Sequence, residues 1–120
     1  SPWFGQGAGS SQHLVESVFV SMTHPHSDYL RVAHDYGFLG SGLWIASLLS
    51  WLLFYYGNWR RADGVDLGIA RYQLTALLSL VSFILQMLME NTLVYVFIAA
   101  PLGLLLGAAA ALRPRRRMAF

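Results

Sequence analysis

The sequence predicts an all-α fold built for a bilayer: a polar loop carrying a short amphipathic helix, then three transmembrane helices. Three observations predict it. Hydrophobic residues make up 56% of the 120 and charged residues 12%, against roughly 25% charged in a typical soluble domain. No charged side chain occurs from Tyr36 to Trp59. From Tyr72 to Leu112 the only one is Glu90. A soluble core of this size cannot absorb so much apolar surface, whereas a lipid-facing bundle can leave it exposed.

Residues 1–36 are mixed, with glycines, serines, all four histidines and three acids. Within them Pro25 suits a helix entrance, and Ser27 or Asp28 can cap it by accepting backbone N–H bonds. Tyr29, Leu30, Val32, Ala33 and Tyr36 then supply an apolar face. Asp28, Arg31 and Asp35 stand three and four apart, so they can pair on the polar face. Gly37 and Gly40 let this helix bend into the first span, 37–57. A hydrocarbon core of about 30 Å takes about 20 helical residues, so the long apolar stretch after Arg71 is two crossings. It divides at Glu90-Asn91-Thr92, giving spans 72–89 and 93–112 joined by a turn at 90–92. Pro101 is expected to kink the last of them, since it has no N–H and its ring crowds the preceding turn. The run Ala108-Ala109-Ala110-Ala111 offers a small-residue face for close packing.

All the basic residues but Arg31 flank these spans. Arg60, Arg61 and Arg71 lie in the loop 58–71, and Arg113, Arg115, Arg116 and Arg117 in the tail 113–120. Three crossings put both groups on one side, and an excess of arginine marks that side as cytoplasmic. Residues 1–36 and the Glu90 turn then face outward. The net charge of +2, with no lysine, is too small and too localised for nucleic-acid binding. Cysteine is absent, which excludes disulfides and thiolate chemistry. The chain opens on Ser1 with no signal-peptide pattern and reads as the C-terminal piece of a longer membrane protein.

The candidate chemistry gathers on the outer side. His26 begins the amphipathic helix, where a neutral imidazole can take a proton from a hydroxyl nucleophile; a capping or merely exposed histidine is the simpler reading of the spacing. His24 and His26, with Asp28, have the spacing of metal ligands, but no second ligand cluster accompanies them, and no metal site is assigned. His13 and His34 read as solvent-facing or interfacial. Gly5-Gln6-Gly7-Ala8-Gly9-Ser10 can turn N–H groups toward an anion such as phosphate, but the dinucleotide fingerprint fails for want of a strand–turn–helix context, and a flexible loop is the simpler reading of the spacing. Glu90, between two apolar spans, must reach water or a partner. It can orient His26, pair with Arg31, contact a substrate, or simply be a solvated turn residue.

Taken together, the glycine-rich stretch, the segment Thr23-His24-Pro25-His26-Ser27-Asp28-Tyr29-Leu30-Arg31, the Gly37-Phe38-Leu39-Gly40 entry to a span and the ending from Met87-Leu88-Met89-Glu90 onward resemble the O-antigen ligase and polymerase family of bacterial membrane proteins. The resemblance covers nearly the whole chain and the C-terminal part of such a protein. It implies a multi-pass enzyme of the bacterial inner membrane, acting on the periplasmic face without nucleotide sugar, metal or other cofactor. The donor it implies is a glycan on undecaprenyl diphosphate. The acceptor is a hydroxyl of lipid A-core, of another lipid-linked glycan or of a protein. The family's histidine falls on His26 as general base. Arg31 is the local arginine available to a diphosphate, and Gly5, Gly7 and Glu90 are the further substrate-binding candidates. Ser27 departs from the asparagine frequent at that position. The competing class is a non-catalytic helical bundle, such as a component of a polysaccharide exporter.

Overall fold

The structure, a computed structural model, describes residues 1–18 and 27–112. Among them it is all-helical: α1 (Ser10–Val18), α2 (Asp28–Ala62), α3 (Leu67–Gln86), one 3₁₀ turn (Thr92–Val94) and α4 (Val96–Ala111). The radius of gyration is 18.0 Å, where a compact globule of this length has about 14 Å. The helices form an elongated slab, 64 × 28 × 17 Å.

α2 is two helices in series. Gly37 has φ 66° and ψ −166°, a conformation open essentially to glycine alone. It divides an arm, 28–36, from a helical run that is charge-free as far as Trp59 and ends at Ala62. The bend predicted at Gly37 is therefore present, and it is sharp: the Tyr29 ring meets Trp44 edge to face at 5.0 Å, so the arm folds back along the helix it precedes. The run 38–62 is about 37 Å long at 1.5 Å per residue. α3, capped by Asp66 accepting from the Ile69 N–H at 3.0 Å, has 20 residues and starts five residues earlier than the predicted 72. α2 and α3 are long and apolar enough to cross a membrane.

The last element differs from the predicted third span, 93–112. α4 has 16 residues, about 24 Å, because the chain spends residues 87–95 on a turn and a 3₁₀ segment rather than on a helix. It runs on as helix through Pro101. Small residues let α4 approach: Tyr55, Ala76, Leu80, Leu106 and Ala109 form the one buried apolar cluster among the described residues. Two polar side chains fasten it. The Tyr55 hydroxyl donates to the Leu106 carbonyl at 2.7 Å. Gln73 donates to the carbonyls of Ala109 and Leu112, which no further helical turn would satisfy. Elsewhere the helices present apolar side chains outward, Leu43, Leu53, Leu78, Val96 and Leu104 among them. Only 6% of the apolar window of α2 and 22% of that of α3 is buried, the reverse of a soluble core helix.

Candidate functional site

The elbow at Gly37 leaves backbone groups without helical partners, and the N-terminal segment supplies them. The freed N–H groups of Phe38 and Leu39 donate to the carbonyls of Pro2 and Trp3 at 3.0 and 3.1 Å. In return the N–H groups of Gln6 and Gly7 donate to the carbonyls of His34 and Asp35, both at 3.0 Å. A Cβ on Gly5 would overlap the Asp35 backbone, and one on Gly37 would overlap the Gly5 nitrogen. Two glycines thus bring two backbones together at a distance no side chain permits.

The glycine-rich loop does cradle an anion, and the anion belongs to the chain. Asp35, 1% exposed, accepts the N–H groups of Gly9 at 2.9 Å and Ser11 at 2.8 Å and the Ser10 hydroxyl at 3.2 Å. His34 stands beside it, its Nδ1 3.1 Å from the Ser10 hydroxyl and 3.4 Å from the carboxylate. Neither Gly5 nor Gly7 offers a free N–H: Gly5 donates to the Ser1 carbonyl at 2.8 Å and Gly7 to Asp35. Burial raises the Asp35 carboxyl, but the Ser11 and Gly9 N–H bonds, aided by His34, outweigh it and bring it down to about 2. The folded pKa lies below the ordinary 3.8, so the stabilisation is complete above that value and is lost as pH falls through 2. It is worth about 2 kcal/mol. Hydrogen exchange at the Gly9 and Ser11 amides is expected to accelerate as pH drops from 4 to 2, beyond the intrinsic trend. Asp35→Asn should abolish that excess.

At the other end of the arm Asp28 is fully buried. Its Oδ2 accepts the Leu93 N–H at 2.9 Å, and its own N–H donates to the Met87 carbonyl at 3.0 Å. Ser27 is the N-cap of α2 without a side-chain capping bond; its hydroxyl faces the Met87 carbonyl at 3.5 Å instead. The Tyr29 hydroxyl donates to the Ile84 carbonyl at 3.0 Å. The arm is thereby tied across the α3–α4 turn. Burial pushes the Asp28 carboxyl up, against the Leu93 N–H and the Arg31 charge. The predicted polar face with Arg31 paired to both acids is corrected here: Asp28 and Asp35 are both buried, because the turn 87–93 covers the first and the loop 1–11 the second. Arg31 stands 4.0 Å from Asp28 and does not pair with Asp35.

Arg31 lines a groove of about 360 Å³ inside the elbow, walled by Val32 and Tyr36 of the arm, Gly40, Leu43 and Trp44 of the following helix, and Leu93. Its Nη1 and the Asp28 Oδ1 are enclosed and have no hydrogen-bond partner. A Cβ on Gly40 would overlap that of Tyr36, so this glycine too serves the fold-back. Leu93 also borders a larger apolar groove of about 700 Å³ between α2 and α4, lined by Trp51, Phe54, Ala99, Gly103, Leu106 and Gly107 among others. Leu93 is the residue common to the two grooves, and Arg31, paired with Asp28, is the charged residue lining the smaller one.

His24 and His26 lie outside the described residues; the chain resumes at Ser27, against Met87. Glu90 is exposed on the α3–α4 turn, and the carboxylate that meets Arg31 is Asp28, not Glu90. His13 is exposed and His34 half-buried. No group of three or more His, Cys, Asp or Glu among the described residues could hold a metal ion. The spacing of Asp28 and Arg31 pointed to the pair the structure forms, while the roles of Leu93, Ser10 and Ser11 depend on contacts 24 to 65 positions away. Compared with protein-family models, curated proteins and solved structures, the chain matches none.

Proposed function

We propose that this chain is part of a bacterial inner-membrane glycosyltransferase of the O-antigen ligase and polymerase type, which passes a glycan from undecaprenyl diphosphate to an acceptor hydroxyl on the periplasmic face. The observation that carries the reading is the elbow groove. Arg31, ion-paired with Asp28 at 4.0 Å, lines it beside apolar walls, and the arm that holds it begins two residues after His26.

In this reading Arg31 holds a phosphate oxygen of the donor and the larger apolar groove takes the first isoprene units. The acceptor oxygen attacks the anomeric carbon as the bond from that carbon to the diphosphate oxygen breaks. His26 takes the hydroxyl proton, and the diphosphate leaves with the bonding pair. Such a leaving group needs little activation, so positioning donor and acceptor supplies most of the rate, and a general base adds about 10²–10⁴-fold.

The test is genetic. Deleting the parent gene should shorten or detach a surface glycan, and the wild-type gene should restore it. An Arg31→Ala allele should restore it at least tenfold less well at equal protein level, the loss of one charge-assisted phosphate contact of about 1.5–3 kcal/mol. Surface glycans unchanged by the deletion would remove the proposal.

A further inference from the structure

We propose that residues 1–9 form a lipid-surface wedge, with Trp3, Phe4 and Phe38 seated in the headgroup–acyl boundary of the leaflet that α2 enters. The inference rests on the reading of α2 as a membrane span. It concerns a segment to which that reading gives no role.

Depth is set by the backbone. Phe38 and Leu39 open the long apolar helix, and their N–H groups are bonded to the Pro2 and Trp3 carbonyls. Residues 2–4 therefore lie level with the first turn of the span, wherever the bilayer places it. The side chains then decide what surrounds them. Trp3 is 66% exposed, Phe4 72% and Phe38 71%, and Trp3 packs edge to face on Phe38 at 6.1 Å. Three large aromatics in one patch, at the height where a span begins, are out of place in water. Indole and phenyl rings favour the bilayer interface.

The surroundings agree. Residues 1–12 contain no ionisable side chain; the first is His13, followed by Glu16, both on exposed positions of α1. The chain thus passes from an uncharged aromatic segment to a polar helix as it leaves the elbow, the layout of a monotopic anchor. With the wedge at the boundary and the arm bonded to the same elbow, the groove lined by Arg31 is held near the lipid phosphates.

The full chain, reconstituted in phosphatidylcholine vesicles, allows each depth to be read separately. One variant keeps only Trp3 (Trp44→Phe, Trp51→Phe, Trp59→Phe); another keeps only Trp51. Bromine at carbons 6 and 7 of the acyl chain should quench Trp3 more than bromine at 11 and 12, and aqueous iodide should quench it at least twofold less than free indole. Trp51, about 20 Å further along α2, should show the opposite bromine preference. Trp51 quenched and Trp3 open to iodide, with no bromine effect, overturns the wedge while keeping the span. Trp51 unquenched by either lipid overturns the span and the wedge with it. Because the chain has no cysteine, Phe4→Cys gives a second reading with all tryptophans in place. It should react at least tenfold more slowly with a charged maleimide in vesicles than after detergent and urea, and equal rates would also overturn the wedge.

Discussion

Alanine at His26 is expected to lower glycan transfer by about 10²–10⁴-fold in the full-length protein, with membrane insertion and protein level unchanged. The two halves of this expectation have separate grounds. Transfer falls because the acceptor proton loses its base. Insertion survives because other residues seat the arm: Ser27 and Asp28 on Met87, Tyr29 on Ile84, and Leu93 on Asp28. The pH profile separates a base from a structural histidine. Wild-type transfer should fall on the acid side, where a protonated imidazole can no longer accept. The residual rate of the variant should not follow that curve. A variant that transfers at the wild-type rate removes His26 from the mechanism.

The sequence carried the helices because it carried their charges. Arginines and the Glu90-Asn91-Thr92 break bound the apolar runs, and the structure places a helix in each run. The lengths were harder. A hydropathy run does not say where a turn relaxes, and Asn91 and Thr92, read as the point of division, are buried in a turn that delays α4 to Val96. Gly37 was legible as a bend, since a glycine before a span has few other uses. Its φ of 66° and the fold-back of Tyr29 onto Trp44 depend on a clasp from residues 2–9, and no local pattern announces a clasp. The same limit explains the aspartates. Spacing puts Asp28 and Asp35 on one side of a helix; it does not say that the side is covered. The glycine loop reads from its spacing as a flexible loop more readily than as an anion cradle, and only the structure shows that it receives the Asp35 carboxylate.

Gly37→Ala is the substitution expected to do most to the structure, and the reason is what surrounds the missing side chain. At φ 66° and ψ −166° a residue with a Cβ is strained by about 1–3 kcal/mol. The added carbon would overlap the Gly5 nitrogen and lie 2.7 Å from the Pro2 oxygen and the Trp3 carbonyl carbon. These are backbone atoms and cannot rotate away, so the clasp must leave or the elbow must open. Either way the four backbone bonds between 2–7 and 34–39 go together. Exchange at the Gln6, Gly7, Phe38 and Leu39 amides should rise at least tenfold, while Leu80 in α3 keeps its protection. Gly42→Ala is the control: it lies on the same helix with nothing within 4 Å of its Cβ, and it should leave all of these amides unchanged. Wild-type protection in Gly37→Ala would show that the clasp does not depend on glycine. If the elbow opens, the arm no longer folds back, Arg31 separates from Leu43 and Trp44, and the groove between them ceases to exist. Transfer should then fall although no group that touches the reacting atoms has changed, the behaviour expected where positioning supplies most of the rate.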